Sequence, residues 1–202
     1  MRMAAPPDMP ALFDDAELIE RSWQHPDSFA ELYDRHFGDI YRYVAGRIGT
    51  QVADDVAAET FLVAFRKRET FDPGRGTVRG WLFGIVTNLI GHHRRSEIRR
   101  LELLQRASAT SGTTADPGHE DRVTAWVTAA GLRGLLAAEL GRLPDGDRDV
   151  LLLVALAGLS HEEIAQTLDI PFGTVGSRLN RVRGKLRAAL GGVNPTIGEA
   201  NE

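Results

Sequence analysis

The chain has 202 residues, of which 43% are hydrophobic and 26% are charged, and it carries a net charge of −4 and no cysteine. This composition is typical of a folded protein with an apolar core and excludes collagen-like and largely disordered classes. Without cysteine there is no disulfide, thiolate metal site or thiol nucleophile, and a reducing cytoplasm is the simplest location. The longest uninterrupted apolar stretch, residues 150–157, is far shorter than the roughly 20 residues that span a bilayer, so we expect no membrane insertion.

The net charge conceals two basic segments in an otherwise acidic chain. Residues 66–106 contain ten basic and four acidic side chains, and the five basic residues after position 150 lie between Arg178 and Arg187. Residues 1–65, in contrast, contain five basic and twelve acidic side chains. This segregation indicates two surfaces that face a polyanion, and separate acidic surfaces for another partner.

Apolar residues recur at helical spacing, and no segment shows the alternation of a strand, so we expect an all-α fold. A short first helix is predicted over about residues 11–23. A second begins near residue 29, where Asp27 or Ser28 can cap it, and ends at Gly49. A third covers about residues 53–69.

A loop rich in proline and glycine, residues 71–76, precedes a long predicted helix over about residues 78–106. Helical spacing resumes near residue 120, and Pro144 and Gly158 bound a further helix. The composition of the intervening segment predicts a flexible linker between two small helical domains. We therefore divide the chain into an N-terminal extension, a first domain, a linker, a second domain and a C-terminal tail, at residues 1–26, 27–106, 107–119, 120–190 and 191–202.

The most specific motif lies in residues 159–190. Ser160 and Glu163 have the spacing of a capping box, and Pro171 starts a second helix after a turn at Asp169. This pattern predicts a helix-turn-helix, whose second helix enters the major groove of DNA. The polar and basic face of that helix is the candidate contact with base edges and phosphates, and comprises Thr174, Ser177, Arg178, Arg181 and Lys185.

Further motifs precede the helix-turn-helix in a fixed order. They begin at Phe29 (FAELY), Ala53 (ADDVAAETFLVAF), Gly80 (GWLFGIVTNLI) and Leu143 (LP, then RDVL). Taken together, these motifs resemble bacterial RNA polymerase sigma factors of the extracytoplasmic-function (ECF) type over about residues 27–100 and 130–190. The resemblance implies two helical domains that bind core RNA polymerase and promoter DNA. It also implies control by an anti-sigma factor, and no cofactor or catalytic activity in this chain.

The resemblance to ECF sigma factors implies that the third helix binds the clamp helices of the polymerase. Asp55, Glu59 and Leu62 share one helical face, opposite Phe61 and Phe65. An acidic face beside an apolar residue suits a basic partner helix. The polymerase contacts implied by the resemblance are Asp54, Asp55, Glu59, Thr60 and Leu62.

The resemblance also implies that the loop before the long helix captures a flipped base of the downstream promoter element. The long helix would then support the opened strand. Gly74 and Gly76 allow close approach of the backbone to DNA. We expect Trp81 to lie mainly in the core and Phe83 to be exposed. The implied downstream contacts are Asp72, Arg75, Arg79, Phe83, Asn88, His92, Arg95 and Arg99, and the helix-turn-helix residues given above become the upstream contacts.

Two other functions fit parts of the sequence. A stand-alone helix-turn-helix regulator explains the second domain but leaves the acidic face of the third helix unused. A helical metal hydrolase would use His92 and His93, but adjacent helical residues point about 100° apart and no carboxylate cluster accompanies them. The sequence also departs from the common ECF pattern at Asp169, where glycine is frequent and a positive φ is expected.

Overall fold

The computed structural model describes residues 13–109 and 129–190, and within them it contains eight α-helices and no strand. The predicted all-α fold is therefore confirmed. None of the described helices is both long enough and apolar enough to cross a bilayer. The helices are α1 (Asp15–Arg21), α2 (Phe29–Ile48), α3 (Ala53–Lys67), α4 (Val78–Ala109), α5 (Ala129–Arg142), α6 (Asp145–Ala155), α7 (His161–Leu168) and α8 (Phe172–Ala189).

Local signals explain most helix ends in the first domain. In α1 the Asp14 side chain accepts from the Glu17 N–H at 2.8 Å, and the Glu17 carboxylate accepts from the Asp14 N–H at 2.8 Å. Gly49 ends α2 with a φ of 91°, as predicted. The predicted side-chain cap of α2 is wrong, because a 3₁₀ turn over Pro26–Ser28 leads directly into the helix and leaves Ser28 in helical conformation.

The predicted linker begins three residues too early, because residues 107–109 continue α4. The remaining linker residues, 110–119, lie outside the described residues. So do residues 1–12, the predicted helical segment 120–128 and the tail 191–202.

The predicted helix-turn-helix is confirmed by α7 and α8. Ser160 and Glu163 form the capping box of α7, with N–H···O distances of 3.2 Å to the Ser160 hydroxyl and 2.8 Å to the Glu163 carboxylate. Asp169 follows in the left-handed conformation, with φ 51° and ψ 49°, as expected for the turn. Val175 and Leu179 then bury one side of α8 in the core.

Helices α2, α3 and α4 pack into the core of the first domain, which is rich in aromatic rings. Tyr43 is fully buried, and its hydroxyl lies 3.0 Å from the Thr87 hydroxyl on α4. Burial raises the pKa of Tyr43, so the phenol stays neutral well above neutral pH. Leu153 and Ile164 of the second domain belong to the same buried cluster. The two domains therefore share a continuous core in this structure, and that packing places α7 beside the loop that precedes α4.

Candidate polymerase and nucleic-acid surfaces

One side of α3 presents an acidic face with an apolar end. Asp54, Asp55 and Glu59 are exposed, and Leu62 is 49% exposed. The other side of the helix is held in the core by residues such as Phe61. Helical geometry produces this division, because steps of three and four residues return to one face. We call Asp54, Asp55, Glu59 and Leu62 the acidic face of α3.

Thr60 does not belong to this face, and the prediction that it contacts a partner is wrong for this structure. Its side chain is 0% exposed, and its hydroxyl donates to the carbonyl of Val56 at 2.7 Å. Thr60 follows Val56 by four residues and lies on the inward side of the helix. The spacing from Val56 was the signal in the sequence that could have corrected this prediction.

The loop between α3 and α4, residues 71–77, is shaped by its own polar groups. The Asp72 carboxylate accepts from the Gly74 N–H at 2.9 Å and caps a short 3₁₀ turn over Pro73–Arg75. Gly76 then adopts a φ of 149°, a conformation that side chains disfavour. Asp72 and Arg75 are exposed on this loop, as their predicted contact with DNA requires.

Phe83 is buried, which corrects the prediction of an exposed downstream contact. It is 1% exposed, and its ring meets the Tyr43 ring edge-on at 5.1 Å. Trp81, as expected, contributes mainly to packing: it is half-buried, with its ring 5.4 Å from that of Phe71. The two aromatic side chains therefore stabilise the base of the loop rather than present free rings.

Arg79, another predicted downstream contact, is held by protein groups in this structure. Its guanidinium lies 5.0 Å from the centre of the Phe83 ring. It donates to the carbonyl of Ala157 in the second domain at 2.6 Å, and it lies 3.6 Å from the Asp39 carboxylate. Arg79 can reach a nucleic acid only after the bond to the second domain is released.

The remaining predicted downstream residues follow one another along an open side of α4. They recur at steps of four, three and four residues, which places them on one helical face. All are exposed, and they are Asn88, His92, Arg95 and Arg99. A cation on a neighbouring face, Arg94, lies 3.8 Å from Asp145 of the second domain, and its burial lowers its pKa from the ordinary arginine value.

The second basic surface is the outward side of α8. Ser177, Arg181 and Lys185 are exposed, whereas Thr174 and Arg178 are half-buried. The five residues thus share one side of the helix but differ in how far they reach into solvent.

Groups of the neighbouring helix α6 hold two of these arginines. Arg181 donates to the Asp147 carboxylate at 3.0 Å, and Arg178 donates to the carbonyl of Gly146 at 3.3 Å. Asp147 is 3% exposed, and its carboxylate holds the Arg181 side chain in one orientation. The sequence analysis missed this supporting role, since 34 residues separate the two partners.

A cavity of about 330 Å³ lies between the loop, α4 and α7. Asp72 and Arg75 line one side, Trp81 and Asn88 line the helix, and Gln166 of the second domain closes another side. An aromatic ring, an amide and a cation around one cavity can stack on a base, pair with its edge and neutralise a phosphate. Three of the predicted downstream residues, Asp72, Arg75 and Asn88, therefore line one cavity.

Comparison with known proteins accounts for both halves of the chain. A Sigma-70 region 2 model matches residues 32–100, and a Sigma-70 region 4 model matches residues 133–186. The match over the first domain disfavours a stand-alone helix-turn-helix regulator. The ECF RNA polymerase sigma factor SigE of Mycolicibacterium smegmatis is 35% identical over 169 residues, which cover 81% of this chain and 62% of SigE. The chain thus spans about three fifths of that relative.

Other relatives match over more of their own length. The RNA polymerase sigma factor CnrH of Cupriavidus metallidurans is 33% identical over 81% of this chain and 86% of CnrH. A structure of CnrH in complex with the cytosolic domain of CnrY matches with a TM-score of 0.60 and 27% identity, over 89% of this chain and 99% of that one.

The fold also matches that of the sigma factor RpoE from Bartonella quintana, in complex with the anti-sigma factor NepR. The TM-score is 0.55 at 19% identity, over 82% of this chain and 98% of RpoE. Both sigma domains occur here in the order and fold of these relatives, with 33% identity over most of CnrH. The chain belongs to the ECF group of the Sigma-70 family of RNA polymerase sigma factors.

Proposed function

We propose that this chain binds core RNA polymerase in the cytoplasm, directs it to a set of promoters, and performs no catalysis itself. The observation that carries the proposal is the exposed acidic face of α3 on the same chain as two basic surfaces. A DNA-binding regulator that acts alone has no use for an acidic face of this kind. The catalytic step of transcription then belongs to the polymerase.

The polymerase contact is assigned to Asp55, Glu59 and Leu62, with Asp54 at the edge. The three carboxylates offer charge-assisted bonds to cations of a partner helix. Leu62, 49% exposed, supplies apolar area at the end of the same face. This combination gives both orientation and affinity, because charged groups guide the encounter and buried apolar area holds the complex.

The promoter contacts divide between the two domains. On α8, Ser177 and the partly buried Thr174 and Arg178 read base edges near the start of the helix, and Arg181 and Lys185 meet phosphates. On the first domain, the loop with Asp72 and Arg75 receives an unpaired base. The exposed side of α4 then holds the opened strand through Asn88, His92, Arg95 and Arg99.

An anti-sigma factor is the proposed regulator of this chain. Two related sigma factors, CnrH and RpoE, are known in complexes, with the cytosolic domain of CnrY and with the anti-sigma factor NepR respectively. An inhibitor of this class would cover the surfaces that bind polymerase and DNA. The exposed Leu62 offers such a partner apolar contact area on the acidic face of α3.

Co-elution with core RNA polymerase tests the proposal. The wild-type chain is expected to co-elute with purified core enzyme in gel filtration. The double variant Asp55→Arg with Glu59→Arg should lose co-elution while keeping its helical circular dichroism, because both positions are exposed and outside the core. The loss arises from repulsion between the new cations and the basic partner helix.

A matched control separates a specific contact from a general effect of charge. Glu20 and Asp27 are also exposed acids, and the double variant Glu20→Arg with Asp27→Arg changes the net charge by the same amount. This control should co-elute like the wild type. Failure of the wild-type chain to bind core enzyme would overturn the proposed function, and equal loss in both double variants would overturn the contact on α3.

A further inference from the structure

The outward side of α8 carries few side chains along its middle. Gly176, Asn180 and Gly184 follow one another at steps of four residues and therefore lie along one line of the helix. A Cβ atom placed on either glycine would meet no described atom within 4 Å, so space is open one turn before Asn180 and one turn after it. Asn180 itself is exposed. A planar base edge can therefore approach its amide without a clash.

The amide of Asn180 differs from its polar neighbours on α8 in its hydrogen bonding. Arg178 and Arg181 are both held by groups of α6, as described above. The Ser177 hydroxyl donates to the carbonyl of Thr174 at 3.0 Å, so its proton is used within the helix. Within the part of the chain that the structure describes, no group hydrogen-bonds the side-chain amide of Asn180. Both its donor and its acceptor are therefore available to a ligand.

Cations border the line of Asn180 on both sides. Arg183 lies on one side of it, and Arg181 and Lys185 lie on the other, since successive helical residues are about 100° apart. All three cations are exposed. The major groove of DNA likewise has base edges on its floor and a phosphate backbone along each border. A helix seated in the groove with its cations toward the two backbones places Asn180 over the base edges.

We infer that Asn180 determines a base preference of the upstream promoter element by pairing with an adenine. The inference rests on the proposed function, because it requires α8 to lie in the major groove. A carboxamide offers one donor and one acceptor side by side. Adenine presents the matching acceptor N7 and donor N6–H₂ in the major groove, whereas guanine presents two acceptors, and cytosine and thymine present one polar group each. Two hydrogen bonds to one base therefore form only with adenine.

Selection from a pool of random DNA duplexes tests the inference. The full chain in complex with core RNA polymerase is incubated with the pool, and the bound duplexes are sequenced. The wild type should enrich a motif in which one position prefers adenine about tenfold over the other bases. Asn180→Ala should lose the preference at that position and keep the preferences at the others, because the remaining contacts of α8 are unchanged.

A second variant, Asn180→Arg, should change the preferred base rather than remove the preference. An arginine forms its paired hydrogen bonds with O6 and N7 of guanine, so this variant should select guanine at the position where the wild type selects adenine. A purely structural role of Asn180 predicts no exchange of one base for another. Both variants should stay folded, because the site is exposed and alanine and arginine favour helix more than asparagine does.

Lys185→Gln is the matched control, because it removes an exposed side chain of α8 that is assigned to phosphate. It should weaken binding to all duplexes alike and leave the preferred bases unchanged.

Three results would overturn the inference. They are the wild-type adenine preference retained in Asn180→Ala or Asn180→Arg, a base other than adenine at the position that these variants alter, or no enriched motif for a wild type that co-elutes with core enzyme. Each of these results leaves the polymerase contact standing. A wild type that does not co-elute with core enzyme defeats the proposed function, and this inference with it.

Discussion

The two DNA-facing surfaces of this chain differ in where their arginines are anchored. On α8, Arg181 is held by Asp147, which belongs to the same domain. On α4, Arg79 is held by the carbonyl of Ala157, which belongs to the other domain. An arginine that is hydrogen-bonded within its own domain keeps the same side-chain orientation whether or not the two domains are in contact. An arginine anchored across the domains changes partners when they separate.

This difference shows that equal charge does not mean equal readiness to bind. Both basic segments are conspicuous in the sequence, and each includes a helix that we propose contacts promoter DNA. In the structure, Lys185 on α8 is exposed to solvent, whereas Arg79 at the start of α4 is half-buried. The charge of a side chain makes it able to bind DNA, and its packing against the rest of the protein determines whether DNA can reach it.

The largest expected effect comes from Arg148, which stabilises the second domain from within. Its guanidinium donates to the carbonyls of Leu140, Gly141 and Leu143 at 2.7, 2.8 and 2.6 Å, and to Asp145 at 2.8 Å. Arg148→Met would remove this buried guanidinium, which is 6% exposed, from all four of its acceptors. We expect the free energy of unfolding to fall by about 3 kcal/mol, measured by urea denaturation followed by circular dichroism.

Arg142 provides the matched control for Arg148. It is an exposed arginine whose side chain pairs with Glu139 within α5. Arg142→Met should change the free energy of unfolding by less than about 1 kcal/mol, since exposed ion pairs contribute little. Similar losses in the two variants would contradict the idea that the second domain is held together by its own buried arginine.

An intermediate effect is expected at Tyr43, the group that connects the first domain to the domain contact. Its hydroxyl lies 3.0 Å from the Thr87 hydroxyl and accepts from Arg47 at 2.9 Å. Tyr43→Phe removes both interactions and should lower the free energy of unfolding by about 2 kcal/mol, because one partner is charged. Tyr33→Phe, at a ring that is 38% exposed, is the control and should have little effect.

The same tyrosine predicts a dependence on alkaline pH. Burial raises the pKa of Tyr43 in the folded chain above the ordinary value of about 10. Its contribution to stability is therefore intact below pH of about 10 and is lost as the pH rises through the folded pKa, because the unfolded chain releases the proton first. Tyr43→Phe should lose less stability than the wild type between pH of about 8 and 11. An equal decline in both would contradict this assignment.

The helices were predictable because short-range signals mark their ends. Gly49 and the pair Ser160 and Glu163 act within a few residues, and the structure confirms each of them. The helical spacing of Asp55 and Glu59 likewise placed both acids correctly on an exposed face of α3. Signals of this kind are local, so one sequence is enough to interpret them.

The errors arise where packing partners are far apart in the chain. Phe83 was predicted to be exposed, yet it is buried, because α4 packs against α2 and α3 as well as α7. Arg47 and Asp149 form an ion pair between the two domains at 2.5 Å, yet 102 residues separate them and no local pattern connects them. The contact between the two domains, which holds Arg79 through the Ala157 carbonyl, follows from such long-range pairs.

The smallest expected effect compares single charges on the two DNA surfaces. Lys185→Gln on α8 removes one exposed cation, so a plot of the logarithm of affinity for random duplex DNA against the logarithm of salt concentration should become shallower by about one unit of slope. Affinity at moderate salt should fall only a few-fold. Arg79→Gln should leave that slope nearly unchanged, because the Ala157 carbonyl of the second domain holds the guanidinium.

Gly84→Ala provides the background for this comparison, because a Cβ atom at Gly84 would lie 3.0 Å from the carbonyl oxygen of Thr167 in the second domain and is expected to loosen the domain contact. Once the domains are apart, Arg79 is released from Ala157, and Arg79→Gln should then lower the slope by about one unit, as Lys185→Gln does in the wild type. Titrations of fluorescent duplex DNA at several salt concentrations give both slopes. If Arg79→Gln reduced the slope equally with and without Gly84→Ala, the bond between Arg79 and Ala157 would have no influence on DNA binding, and the two surfaces would be equivalent.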